Sequence, residues 1–153
     1  MGSEMCIRDR SSFSNNGQIC LCGSRIYIER PIYDRFKEEL VKRTQFLKIG
    51  DPFSTVTDLG ALSSRAHMEK VMSYLALAEV EGGKILCGGD PIEMKGEFEG
   101  GNFLRPAVIE GLSPEARCNQ EEIFGPVVTI MPFDTEEEVI GYANSTDLSL
   151  IHI

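Results

Sequence analysis

The sequence predicts an α/β fold, an open sheet with flanking helices, on three observations. Short runs of alternating apolar residues, such as Arg25-Ile26-Tyr27-Ile28-Glu29, are interleaved with longer stretches whose apolar residues recur every three or four positions. Clusters such as Gly50-Asp51-Pro52 and Gly88-Gly89-Asp90 punctuate the two kinds of segment. With 42% hydrophobic and 25% charged residues among 153, the chain can bury a core, which favours one globular domain over disorder.

Each element has its own signal. Arg25 to Glu29 has the period of a strand, and Pro31 suits the first turn of a helix. From Ile32 to Leu47 the apolar Ile32, Phe36, Leu40 and Val41 fall on one stripe, so this helix is expected to pack on the sheet. Ser63 or Ser64 can cap a second helix running to about Val80. Met68, Val71, Met72 and Leu75 give it an apolar face, and Gly82-Gly83 is its stop. Lys84 to Cys87 reads as a strand, and residues 93–102 as a charged, Gly-rich surface loop or hairpin. Phe103 to Ile109 and Val127 to Phe133 are further strands. A last helix starts after Asp134, where Thr135 and Glu138 have capping-box spacing and Val139, Ile140 and Ala143 form the apolar side.

The ends do not fit this pattern. Residues 1–10 carry no period or cap, and residues 148–153 stop in apolar residues straight after a helix. Both read as a non-native leader and tail, translated linker read-through flanking a coding fragment at 11–147.

Charge and cysteine usage exclude several classes. Fifteen Lys and Arg against 24 Asp and Glu leave a net charge of −9, with no basic stripe to meet a phosphate backbone, so nucleic acid is not an expected partner. No apolar run approaches the roughly 20 residues of a membrane helix and no secretory leader is legible, so a cytoplasmic protein without membrane contact is expected. The five cysteines are odd in number and irregularly spaced, which predicts reduced thiols. Cys20-Leu21-Cys22 is too tight for a zinc knuckle, and His67 and His152 fall at no ligand spacing, so no metal site is expected.

Two segments could carry chemistry. In Phe13-Ser14-Asn15-Asn16-Gly17-Gln18-Ile19-Cys20, a glycine permits a tight turn and three amide side chains surround a thiol that, if exposed, could attack an electrophilic carbon. A small buried hydrophobe near a turn is the competing reading, and the commoner role of an intracellular cysteine. In Glu121-Glu122-Ile123-Phe124-Gly125-Pro126, a carboxylate could accept from the vicinal hydroxyls of a ribose while a ring packs on a flat heterocycle. A solvated acidic turn with Phe124 in the core competes with it.

Phe13 to Arg25 resembles the active-site cysteine signature of the aldehyde dehydrogenase superfamily, and Glu121 to Val127 resembles its second signature, in the family's order. Gly60-Ala61-Leu62, the helix with His67 and Lys70, and Gly101-Asn102-Phe103-Leu104-Arg105-Pro106 are also similar to that family, so the resemblance covers about Ser11 to Asp147. The Ile19-Cys20-Leu21-Cys22 cluster and residues 132–140 are most similar to the 2-aminomuconic and 2-hydroxymuconic semialdehyde dehydrogenases.

The resemblance implies a partial aldehyde dehydrogenase catalytic domain that oxidises an aldehyde to a carboxylate. Cys20 would be the nucleophile, forming a thiohemiacetal that passes hydride to NAD and a thioester that water cleaves. Glu122 would hold the nicotinamide-side ribose, Phe124 would pack near the nicotinamide, and Lys70 would reach the adenine-side ribose, with His67 similarly placed. Cys22 would pack, and could trap Cys20 as a disulfide under oxidation. No residue present rules out NADP. The nucleotide domain, the oxyanion-hole amide and the general base are expected before Ser11, and the oligomerisation strand of a homo-oligomeric parent after Asp147. The chain by itself is therefore expected to be inactive and marginally stable. Another aldehyde substrate, a non-catalytic interaction module with a structural cysteine, and a redox sensor using Cys20 and Cys22 are the alternatives.

Overall fold

The computed structural model describes residues 11–149. The leader expected at residues 1–10 and residues 150–153 of the expected tail lie outside the described residues. The elements in chain order are β1 (Arg25–Glu29), α1 (Tyr33–Phe46), α2 (Arg65–Val80), β2 (Lys84–Cys87), β3 (Pro91–Ile92), β4 (Phe103–Leu104), β5 (Ala107–Glu110), α3 (Arg117–Gln120), β6 (Val127–Phe133) and α4 (Glu136–Ala143). A short 3-10 turn at Arg30–Ile32, containing Pro31, leads into α1.

A four-stranded sheet with order β1-β6-β5-β2 forms the frame. β6 pairs in parallel with β1 (Arg25 opposite Thr129) and with β5 (Ala107 opposite Val127), while β2 runs antiparallel to β5. Strands covered on both faces are expected to be apolar without alternation. β5 and the first five residues of β6 are buried at nearly every position. Val108, Val128 and Ile130 face one way and pack with Phe36 and Leu40 of α1 and Ile28 of β1. Ala107, Ile109 and Val127 face the other way and pack with Val71, Leu75 and Ala78 of α2. Each large side chain so buried contributes roughly 1.5–3 kcal/mol relative to exposure. Pro132 lies within β6 but beyond its last pairing with β5 at Ile130, so its missing N–H breaks no ladder there.

Local chemistry explains the helix ends. The Ser64 side chain accepts a hydrogen bond from the His67 backbone N–H at the start of α2, and Gly82, at φ +87°, lies just past its last residue. At α4 the Thr135 hydroxyl accepts from the Glu138 N–H. The Glu138 carboxylate reaches past the cap residue to accept from the Asp134 N–H at 2.7 Å.

Three expectations need correction. The single strand expected from Phe103 to Ile109 is two strands, because Pro106 has no N–H to donate and β4 pairs away from the main sheet with β3. That pairing makes residues 93–102 the tip of a hairpin, one of the two forms expected for them. The face expected on α4 is uncovered, with Ile140 and Ala143 exposed and Val139 half-buried. Ile32 and Met72, assigned to apolar stripes, are also exposed, and Ile32 lies in the 3-10 turn ahead of α1 rather than in the helix.

Candidate active site

Topology brings the two chemistry-bearing segments together. Cys20 lies a few residues before β1 and Glu122 a few residues before β6, and β1 and β6 are neighbouring parallel strands. Segments leading into adjacent parallel strands must arrive at the same end of the sheet. The Thr129 N–H donates to the Ser24 carbonyl at 2.9 Å, fastening this end. The two loops approach each other closely at Gly17 and Gly125. A Cβ on Gly17 would stand 2.1 Å from the Gly125 carbonyl oxygen, so only a residue without a side chain lets the two loops meet.

The cysteine loop is held in an unusual backbone. Asn15, Asn16 and Gly17 all have positive φ (50°, 57° and 67°), a region that Asn and Gly enter most readily. All three amide side chains are engaged in holding the loop. Asn16 Nδ2 donates to the Ala61 carbonyl at 3.2 Å, Gln18 Oε1 accepts from the Ser63 N–H at 3.1 Å, and Asn15 Nδ2 donates to the Gln18 carbonyl at 3.2 Å. Phe13, 1% exposed, anchors the loop in the core. The loop therefore leans on the segment entering α2, and Cys20 is left exposed at its far end.

The acidic-aromatic turn is gripped by α2. The Tyr74 hydroxyl donates to Glu121 Oε2 at 2.7 Å, Lys70 Nζ donates to the Glu122 carbonyl at 3.0 Å, and His67 Nε2 lies 2.6 Å from the Phe124 carbonyl. Gly125 rests on Val71, where a Cβ would approach to 2.5 Å. Phe124 has φ +60°, a left-handed conformation that costs a side chain about 1–2 kcal/mol and needs outside support. From α3, Arg117 makes two hydrogen bonds to the Glu121 carboxylate, at 2.7 and 3.0 Å. The Arg117 guanidinium, with the Tyr74 hydroxyl, holds the Glu121 carboxyl down to about 2.

Between the loops lies a cleft of about 270 Å³ whose lining includes Cys20, Cys22, Arg25, Glu122, Phe124 and Gly125. Cys20, Glu122 and Phe124 are thus brought together as expected. Lys70 and His67 are not among the lining residues and reach the site through backbone carbonyls of the turn. Of the other described thiols, Cys22 is half-buried on the cleft wall, and Cys87 and Cys118 are buried. Burial pushes the Cys22 thiol up against a smaller opposing effect of the Ile19 backbone, and its Sγ lies 3.8 Å from the Ser14 carbonyl. Burial also raises Cys87, and burial together with the Glu81 carboxylate pushes Cys118 up to about 12. No group of three His, Cys, Asp or Glu able to hold a metal occurs among the described residues.

Sequence reasoning missed Tyr74 and Arg117, and named Glu121 only as part of the acidic pair. The i, i+3, i+4, i+7 spacing of His67, Lys70, Val71 and Tyr74 was a readable signal of one shared helix face, but its partner, 50 residues on, was not. Chemically the cleft offers an exposed sulfur on Cys20, a half-buried one on Cys22, the exposed Glu122 carboxylate and the Phe124 ring.

The pattern of the aldehyde dehydrogenase family matches residues 7–152. The chain is 48% identical over 143 residues to the 2-aminomuconic semialdehyde dehydrogenase of Mus musculus, covering 92% of this chain and 29% of that protein. It is 42% identical over 141 residues to the 4-trimethylaminobutyraldehyde dehydrogenase of Oryzias latipes, covering 92% and 28%. Among solved structures, betaine aldehyde dehydrogenase from Staphylococcus aureus in complex with NAD+ superposes with a TM-score of 0.86 at 36% identity, over 91% of this chain and 27% of that one. The chain thus spans less than a third of the length of these relatives. The match runs through both signature loops and the helix that joins them, and on it the chain belongs to the aldehyde dehydrogenase family.

Proposed function

We propose that this segment carries the nucleophile and the nicotinamide-side cofactor contacts of an NAD-dependent aldehyde dehydrogenase. One observation supports the reading above all. The exposed thiol, Cys20, opens onto the same cleft as Glu122 and Phe124, while the other described thiols are buried or half-buried.

The residues present suit the cofactor. The exposed Glu122 carboxylate can accept from two vicinal ribose hydroxyls, and the Phe124 ring, half-buried on the rim, can pack beside a flat heterocycle. Lys70 uses one donor on the Glu122 carbonyl and keeps two for the adenine-side ribose. The Cys20 thiolate adds to the aldehyde carbon through a new C–S bond, and the oxyanion so formed accepts a hydrogen bond from the Cys20 backbone N–H. Bound NAD supplies the hydride acceptor, and NADP would supply the same chemistry. Water then breaks the C–S bond of the acylated Cys20, releasing the carboxylate and restoring the thiol. The similarity to 2-aminomuconic semialdehyde dehydrogenases favours a semialdehyde as the substrate.

The test is aldehyde-dependent NADH production by the full-length protein carrying this segment. Cys20→Ala lowers turnover at least about a thousandfold, the scale on which loss of a covalent nucleophile acts. A variant that keeps its rate would overturn the assignment. We further infer that the 153-residue chain alone makes no NADH above its own Cys20→Ala control, since it spans 29% of the mouse relative and the nucleotide domain and general base are expected in the remainder. Turnover by the isolated chain would overturn that second inference only.

A further inference from the structure

Four side chains on one face of α2 meet the acidic-aromatic turn in register, although they do not line the cleft. Tyr74 bonds the side chain of Glu121 at 2.7 Å, Lys70 the carbonyl of Glu122 at 3.0 Å, and His67 the carbonyl of Phe124 at 2.6 Å. Val71 closes against Gly125. Helix periodicity puts these four residues on one stripe, so a rigid helix sets the positions of Glu121, Glu122, Phe124 and Gly125 in the turn.

The contacts are unequal. Lys70 is exposed, with a flexible stem, and His67 stands in the first turn of the helix. Tyr74 lies mid-helix, half-buried, with its ring packed against the core cluster that includes Leu75, Ile109 and Val127. Its hydroxyl shares the Glu121 carboxylate with Arg117 of α3, whose own N–H donates to Glu81 Oε1 at 2.8 Å just beyond the end of α2. Glu121 is therefore fixed from two helices, and the next residue is Glu122. Phe124, in a left-handed backbone, depends on such fixing to keep its ring at the rim.

We propose that Tyr74 is a positioning residue for cofactor binding: acting through Glu121, its hydroxyl sets the orientation of the turn that presents Glu122 and Phe124 to the nicotinamide half of the dinucleotide. Tyr74 touches neither cofactor nor substrate. Its removal lets the turn sample other orientations, which lowers the population competent to bind cofactor and weakens apparent affinity by that fraction. The inference rests on the reading of Glu122 and Phe124 as cofactor contacts.

Tyr74→Phe in the full-length enzyme keeps the packed ring and removes only the hydroxyl. The expected result is an NAD+ dissociation constant, read by calorimetry without aldehyde, about three to ten times weaker, with the KM for NAD following it. The KM for aldehyde stays within about twofold, and the unfolding midpoint of the cofactor-free enzyme within about 2 °C. A merely structural role would move the midpoint and the active fraction while leaving both KM values in place, and that pattern overturns the proposal. So does an unchanged NAD+ dissociation constant. Should Tyr74→Phe fail to fold, Arg117→Met reads the same carboxylate from its other side, with the same expectations. An unmodified enzyme that oxidises no aldehyde, or is indifferent to Cys20→Ala, sinks the underlying reading instead and this proposal with it.

Discussion

A sulfur facing water and a sulfur packed in a core are different reagents, and the described thiols include both. Cys20 is exposed, Cys22 is half-buried, and Cys87 and Cys118 are buried. Only the thiolate is nucleophilic, so burial acts twice, by blocking approach and by disfavouring the charged form. With its thiol pushed up to about 12 by burial and the Glu81 carboxylate, Cys118 stays protonated at pH 8. Among the four described thiols, iodoacetamide added to the folded chain should therefore alkylate Cys20 first and Cys22 more slowly. Cys87 and Cys118 should be labelled only once denaturant opens the core. Peptide mass spectrometry of quenched time points gives the order, and labelling of Cys87 or Cys118 at the Cys20 rate in native buffer runs against it. The sequence could place Cys20 within a signature but not say that it faces solvent. That follows from Phe13 being drawn into the core while Gly17 meets Gly125, two contacts that local spacing does not reveal.

At the scale of elements, α2 joins stability to the site. Its N-cap bond runs from the His67 N–H to the Ser64 hydroxyl at 3.1 Å, and the ring of the same His67 meets the Phe124 carbonyl. Ser64→Ala removes the cap and should cost about 1 kcal/mol of folding free energy, read from urea denaturation. Because fraying starts at the turn that carries His67, amide exchange at residues 124 and 125 should quicken by more than at Val108 on the central sheet. Equal changes at both places would break the link between cap and turn. This helix was legible because its cap, its apolar spacing and its terminal glycines are all local signals. α3 was not legible. Only four residues long and without a side-chain cap of its own, it takes its N-terminal acceptor from Glu81, 36 residues earlier, so its stability is tertiary. The break at Pro106 stood in plain view, since proline seldom continues a strand, but an apolar run on either side outweighed it. The apolar residues of α4 marked the helix correctly, yet their period says only that a face exists, not that anything among the described residues covers it.

For the whole molecule, the open question is what a sheet of this shape does alone in solution. The outer strands, β1 and β2, each have one edge without a strand partner among the described residues, and such edges template pairing with other chains. Several large apolar side chains stand in solvent as well, with Phe53 at 94%, Val80 at 83% and Leu21 at 75% exposure. Against these attractions works the net charge of −9, which makes copies of the chain repel one another. The two effects respond oppositely to salt. Screening shortens the repulsion from about 10 Å at 0.1 M to about 3 Å at 1 M and leaves apolar contact and backbone pairing intact. Association should therefore grow with both concentration and ionic strength. Light scattering on a sizing column should show a mass rising above the 17.0 kDa of one chain as salt increases, together with a broadened melt. If the edges dominate, converting the exposed Phe53 to Lys changes this little. If scattered apolar side chains dominate, the same change suppresses it. A monodisperse 17.0 kDa species with one sharp melt at every salt concentration would show that these open edges do not pair between chains.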